Sequence, residues 1–372
     1  MEKSKVYFTT MRAKPGMNLL QKLSKLMLEA GFENIDMDGK FVAIKIHFGE
    51  PGNLAFLRPN FAKVVADEVK KIGGKPFLTD CNTLYVGRRK HALEHMDAAF
   101  ENGFSPMSTG CQIIIGDGLK GTDELLVPID GEFVKEAKIG RAVMDADVFI
   151  SLNHFKGHEA TGFGGALKNI GMGCGSRAGK MEMHNAGKPF VHAKDCIGCG
   201  MCLRICAHNA ISIAHRKASI DENKCVGCGR CIGICPKDAV KTKWDEANSV
   251  LNKKIAEYSL AVLEGRPHFH ISLAMDISPY CDCHSENDLA IIPDIGIFAS
   301  FDPVALDVAC ADMCNKAPVI PGSMLDEAAH NHDHDHDHFN HMHPGTSWED
   351  CVSHAEKLGI GKQAYELVTV EF

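Results

Sequence analysis

A chain of 372 residues with 45% apolar and 24% charged residues has the composition of a soluble globular protein and the length of one large or two ordinary domains. Its 40 basic and 48 acidic residues leave a net charge of −8, which offers no basic field to nucleic acid or to an anionic membrane surface. The opening MEKSKVYFTT lacks an apolar signal stretch and nothing approaches the roughly eighteen apolar residues of a membrane span, so the expectation is a cytoplasmic protein with its sixteen cysteines reduced.

Taken in chain order, strand-like and helix-like segments alternate. Residues 6–10 are short and β-rich. Asn18 is placed to cap a helix whose Leu19, Leu20, Leu23, Leu26 and Met27 make one apolar stripe, stopped at Gly31. After Asp38-Gly39, FVAIKIHF at 41–48 predicts a buried strand. A helix over 61–72 ends at Gly73-Gly74 before a strand at 76–79, and a helix over 88–101 precedes a strand at 112–115. VFISL at 148–152 is another buried strand. From Trp244 a helical stretch runs to Gly265, strands follow at 268–275 and 294–299, and Asp302-Pro303 opens a helix to Cys314. This order predicts an α/β fold, a mostly parallel sheet flanked by helices. Residues 1–188 and 243–372 read as two parts of one α/β host sharing a sheet; two small α/β domains are the alternative.

Open α/β sheets bind ligands beyond the carboxyl ends of their strands. There the sequence sets Lys45, His47 and Glu50, then Asp80-Cys81-Asn82, Gly116-Asp117-Gly118, and Asn153-His154-Phe-Lys156-Gly-His158; in the second half it sets Asp276 and Ser300-Phe-Asp302. Turn formers alone can account for many of these. His154, Lys156 and His158 are the candidate donors or acid–base groups. The following TGFGGALKNIGMG carries glycines into a helical segment with Lys168, readable as a cradle for an anionic substrate or equally as a tight packing turn. Its spacing is neither the phosphate-loop nor the dinucleotide fingerprint.

Half of the cysteines lie in two runs, Cys196-x2-Cys199-x2-Cys202-x3-Cys206 and Cys225-x2-Cys228-x2-Cys231-x3-Cys235-Pro236, one a copy of the other. Gly198, Gly200, Gly227 and Gly229 allow backbone N–H groups to turn toward a sulfur-rich anion. Zinc also suits four thiolates, but zinc ribbons use two separated CxxC pairs rather than this run. The cassette resembles a bacterial two-cluster ferredoxin, in which the fourth cysteine of each run ligates the other cluster. The resemblance implies that 189–242 is an inserted ferredoxin-like α+β domain with two [4Fe–4S] clusters. One would take Cys196, Cys199, Cys202 and Cys235, the other Cys225, Cys228, Cys231 and Cys206. Ala207 departs from that family, which usually has proline there.

Elsewhere, Cys281-Asp282-Cys283-His284 concentrates soft and borderline ligands on a segment that Pro279 favours as a loop. Asp276, Cys281, Cys283 and His284 are the expected ligands of an additional metal ion. Cys310 and Cys314, at i and i+4 on one helix, are further metal candidates. Residues 330–343 hold seven histidines and read as an exposed loop that binds zinc, nickel or copper opportunistically.

The run SLNHFKGHEATGFGGALKNIGMG at 151–173, the segment Asp302-Pro-Val-Ala-Leu-Asp307 and the inserted cassette together resemble the family catalogued as domain of unknown function 362. That resemblance implies an iron–sulfur α/β protein, mainly of anaerobic or redox-versatile microbes. The expected function is a cytoplasmic redox protein, an oxidoreductase if it has its own catalysis, relaying electrons through two clusters to or from a site in the host. Its partner would be a redox protein or a small-molecule electron donor or acceptor, not nucleic acid or membrane. A metal-handling or cofactor-maturation protein and a docking subunit without catalysis are the alternatives.

Overall fold

Continuous Val-, Ile- and Phe-rich runs become the strands of one eight-stranded sheet in the computed structural model, which describes residues 3–85, 87–184, 188–243, 247–329 and 337–372. The strands are β1 (Ser4–Thr10), β2 (Phe41–Lys45), β3 (Lys75–Asp80), β4 (Gln112–Ile115), β5 (Val148–His154), β6 (His268–Ala274), β7 (Gly296–Ser300) and β8 (Tyr365–Thr369). Their spatial order is β8-β1-β7-β6-β5-β2-β3-β4, so strands from both sides of the cysteine cassette share the sheet. All pairings are parallel except those of β7, which runs against β1 and β6. β5 is buried along its whole length, as a central strand covered on both faces must be.

Helices cover the two faces. On one, Leu23 and Leu26 of the Leu19–Glu29 helix and Val65 and Val69 of the Pro59–Lys71 helix pack against Val42, Ile44 and Ile150. On the other, Ile255 and Val262 of the Asn248–Leu263 helix join Ala305 and Ala309 of the Pro303–Asn315 helix against Ala43 and Phe149. This is the expected α/β architecture. Asn18 closes the first helix with a reciprocal capping box, its side chain accepting from Gln21 N and its N–H donating to Gln21 Oε1, both at 2.9 Å. Some bounds differ: the 41–48 strand stops at Lys45, and the 88–101 helix begins at Ala92 with His91 as its cap.

The direction of β7 corrects one expectation. Residues 275–295 contain no helix, so the chain returns beside β6 antiparallel instead of crossing over. Ser300 and Asp302 therefore fall on the rim opposite the other strand ends. There Asp302 caps the Pro303–Asn315 helix through Val304 N and Ala305 N and accepts from Ser4 Oγ at 2.6 Å.

Two more expectations change. Cys310 and Cys314 are fully buried in the apolar core, where burial pushes both thiols well up, away from the thiolate a metal needs. Of the histidine-rich segment, 330–336 lies outside the described residues, whereas 337–343 is folded rather than an exposed loop. Asp337 caps a helix, His338–Met342, whose Phe339 and Met342 share one buried face. Phe339 meets Phe155 and Phe163 at ring-centroid distances of 5.7 and 5.5 Å. A capped pair of apolar residues three apart outweighs the polar composition around it.

Within the cassette, Phe190–Val191 pairs with Val240–Lys241 and Ile211–Ala214 with Lys217–Ile220, both antiparallel. Each cysteine run leads into a short helix, Met201–Ile205 or Arg230–Ile234. Leu84 and Met181 from outside the cassette join its small core with Ile211, Ile232 and Val240. Among the described residues, no helix is long and apolar enough to cross a membrane.

Candidate functional site

The carboxyl ends of β2, β3, β5 and β6 meet at one rim, and the polar groups that follow them converge there. β5 ends in His154 and the chain turns into a narrow hairpin, Lys156–His158 against Gly162–Gly164. The loop after β6 lies beside it: Gly157 N donates to Ser278 O at 2.9 Å, and Glu50 N donates to Asp282 O at 2.8 Å. Asp282 joins these pieces. Its carboxylate accepts from His154 Nδ1 at 2.8 Å, and Lys156 Nζ stands 3.6 Å away. Although burial pushes Asp282 upward, His154 and Lys156 leave it well below the usual carboxylate range. His154 also donates from Nε2 to Met275 O at 2.7 Å. Both its ring nitrogens are engaged, one by Asp282 and one by Met275 O, so its place in the site is to position Asp282.

Cys281 and Cys283 flank Asp282 and turn the other way. One donor atom each from His158, Cys281 and Cys283 lies within 4.8 Å of the others, a grouping that could hold a metal ion. Lys168 Nζ is 3.4 Å from Cys281 Sγ. The hydrogen bond from Cys283, opposed by burial and aided by Lys168 and Lys156, holds Cys281 well below an ordinary thiol; the same bond raises Cys283. Burial and Lys168 lower His158 to about 4, so its imidazole is neutral near pH 7. Its Nδ1 accepts from Ala160 N at 3.1 Å and Thr161 N at 3.2 Å, which leaves the proton on Nε2.

These groups border a cavity of about 640 Å³, whose wall includes Tyr85, His158, Lys168, His184 and Cys283. A smaller recess behind it is lined by Lys45, His47, Asp80, Arg89, Lys156 and Cys281. Charge in the recess is paired: Lys45 Nζ lies 3.0 Å from Asp80 Oδ1, and Arg89 Nε lies 2.8 Å from Glu50 Oε2. Of the four expected extra-metal residues, only Cys281 and Cys283 are together. Asp276 forms an ion pair with Arg58 at 3.0 Å, and His284 Nε2 is 2.9 Å from Glu159 Oε1.

The glycine-rich turn has a different use from an open cradle. Asp307 reaches the start of the Ala166–Cys174 helix and accepts from Ala166 N at 2.6 Å and Leu167 N at 2.9 Å. The chain's own carboxylate thus takes the place of an external anion. Burial pushes Asp307 up to about 7 against those two bonds. A Cβ on Gly165 would stand 2.3 Å from Asp307 Oδ1, and one on Gly171 would stand 2.2 Å from Ile255 O. Both glycines are there for close packing.

The two cysteine runs come together in crossed sets. One cavity is lined by Cys196, Cys199, Cys202 and Cys235, and a second by Cys206, Cys225, Cys228 and Cys231. Gly198, Gly200, Gly227 and Gly229 have φ of 67°, 78°, 74° and 64°, repeating one backbone turn in each run. Ala218 N points at Cys196 Sγ at 3.4 Å and Ala239 N at Cys235 Sγ at 3.3 Å. Arg177 enters from outside the cassette: a Cβ on Gly229 or Gly233 would collide with its side chain. Its Nε and Nη2 are buried with no hydrogen-bond partner among the described residues, and its charge interacts with those of Asp117, Cys231 and Cys228.

The sequence alone did not single out Asp282, Arg89, Tyr85 or Arg177. Asp282 had a signal, as an acid between two cysteines; for the others nothing local marks them.

The family profile described as "Domain of unknown function (DUF362)" matches residues 42–312. The chain belongs to this family. The match runs from β2 across the rim and the cassette into the Pro303–Asn315 helix, so it embraces both sites. This DUF362 chain is also 28% identical over 147 residues to a thylakoid-associated protein of Synechocystis, covering 39% of this chain and 42% of that protein. A Thermotoga maritima protein of known crystal structure is 14% identical with a TM-score of 0.41, over 80% of this chain and 57% of that one. The lactate racemase apoprotein from Thermoanaerobacterium thermosaccharolyticum is 14% identical with a TM-score of 0.32, over 73% and 51%. The chain spans less than two thirds of each of these proteins.

Proposed function

We propose that this DUF362 protein is an iron–sulfur redox protein, with a ferredoxin-like insert at 189–242 that serves a substrate site in the α/β host. The observation that carries the reading is the crossed lining of the two cysteine cavities, three cysteines of one run with the fourth of the other. The donor sets fit: four thiols each, with backbone N–H groups on Cys196 and Cys235. Arg177, buried and short of partners, supplies a positive charge to the second set. Cys196, Cys199, Cys202 and Cys235 would hold one [4Fe–4S] cluster, and Cys206, Cys225, Cys228 and Cys231 the other. When bound, such clusters supply one-electron transfer at potentials set by charge, hydrogen bonding and exposure.

The chain's own residues favour a cavity that is coupled to the cassette. Leu84 packs in the cassette core while its neighbour Tyr85 lines the rim cavity. The helix Arg177–His184 begins at the second cysteine set and ends with His184 on the cavity wall. In the cavity, His158 offers an Nε2–H to a bound molecule and Lys168 offers a positive charge, while Asp282, Lys156 and His154 fix the loop that carries the thiols. Anaerobically prepared protein should contain about eight iron and eight acid-labile sulfides per chain, and should bleach on reduction. Stoichiometric zinc with no labile sulfide would sink the reading.

A further inference from the structure

We propose that Cys281 and Cys283 form a thiol–disulfide exchange couple that opens on the rim cavity and accepts a small disulfide-bearing molecule. The geometry carries it. Cys283 is half-buried and on the cavity wall, Cys281 is 2% exposed behind it, and the two sulfurs lie within 4.8 Å of each other. Lys168 Nζ, 3.4 Å from Cys281 Sγ, stabilises the negative charge of the pair. The loop is held by the turn His284 N to Cys281 O at 3.0 Å and by the bond from Glu50 N to Asp282 O. The inference is independent of the iron–sulfur reading, because none of these residues belongs to the cassette.

Exchange is favoured over a third metal site by the histidine. Metal-bound histidines ordinarily donate their second N–H to an acceptor. His158 has the reverse arrangement: Nδ1 is filled by two backbone N–H donors, so Nε2 carries a hydrogen and has no lone pair for a metal. The Lys168 ammonium beside Cys281 adds repulsion against a cation.

The step balances with the incoming disulfide as its two-electron oxidant. Counted from one thiol and one thiolate, the pair carries one proton and one negative charge. As a disulfide RSSR enters, the Cys283 proton passes to Cys281, and the Cys283 thiolate attacks one sulfur, breaking the S–S bond and forming a mixed disulfide. The departing RS⁻ receives its hydrogen bond from His158 Nε2–H and takes the proton from Cys281. Cys281 thiolate then attacks Cys283 Sγ, forming the Cys281–Cys283 disulfide and releasing the second RS⁻. The two electrons lost by the protein sulfurs are those gained by RSSR, and one proton and one negative charge leave with the products. A thiol runs the sequence backward.

The test uses anaerobic holoprotein mixed with oxidised glutathione or cystamine, acid quenching, alkylation and peptide mass mapping. Wild-type protein should yield the Cys281–Cys283 disulfide. Cys281→Ser should trap a mixed disulfide on Cys283, whereas Cys283→Ser should give at least about tenfold less adduct, since the remaining sulfur is buried. The proposal is overturned if neither probe reacts at Cys281 or Cys283 in wild-type protein. It is equally overturned if the pair resists because it holds a stoichiometric metal that both serine variants lose.

Discussion

The cassette and the rim both gather thiols beside positive charge, yet they are assembled by different means. In the cassette, eight cysteines come from two short runs, and spacing alone brings three of each four together; the fold adds only the crossing of Cys206 and Cys235. At the rim, two cysteines depend on Lys168 from the glycine-rich helix, His158 from a hairpin, and Asp282 tied to His154 and Lys156. The cassette is a local device that can be copied along a chain. The rim exists only because parallel strands deliver distant segments to one edge.

Perturbing the rim's distant supports should therefore damage it and spare the cassette. The largest effect is expected from Phe339→Ala, which removes a ring packed on Phe155 and Phe163 behind the hairpin. The loss should be about 3–5 kcal/mol, read by thermal or denaturant unfolding of the host, with iron content retained under native conditions. Asp307→Asn should come next. An amide must turn one of its N–H groups toward the backbone donors Ala166 N and Leu167 N, at a cost of about 1–3 kcal/mol. An unchanged melting temperature would show that the glycine-rich turn does not depend on this carboxylate.

Arg177→Met sharpens the comparison where the two regions touch. Loss of a buried cation beside Cys228 and Cys231 should lower the potential of the second cysteine set, on the order of 60 mV, equivalent to about a tenfold change in a one-electron equilibrium. Equal shifts at both centres in a redox titration followed by electron paramagnetic resonance would contradict that placement. The smallest effect belongs to Lys90→Ala, which removes the ion pair with Asp238 of the cassette. Asp238 is one-third exposed, so stability should fall by less than about 1 kcal/mol.

Legibility in the sequence follows the same division. The α/β alternation was readable because long apolar runs and capped amphipathic helices are local, as with Asn18 and the 19–29 stripe. The direction of β7 was not, since a strand looks alike both ways; the missing helical period across 275–295 was the one available sign. The rim groups His154, Lys156, His158, Lys168, Cys281 and Cys283 were readable as strand-end chemistry, but their roles were not. The partners that decide them, Asp282 for His154 and the two N–H donors for His158, are matters of packing. Asp276 was drawn in by its position after β6, and Arg58, far off in sequence, takes it away. In 337–343, histidine content hid the Phe339–Met342 face.

Cys235→Ser measures the central claim most directly. The substitution sits in the second run but lines the cavity of Cys196, Cys199 and Cys202. Anaerobically reconstituted variant protein, examined by iron analysis and electron paramagnetic resonance beside Arg177→Met as a marker of the second centre, should lose or alter the first centre and keep the Arg177-sensitive one. Loss of the Arg177-sensitive centre, with the other intact, would mean that each run serves its own cluster and would contradict the crossed arrangement on which the iron–sulfur reading stands.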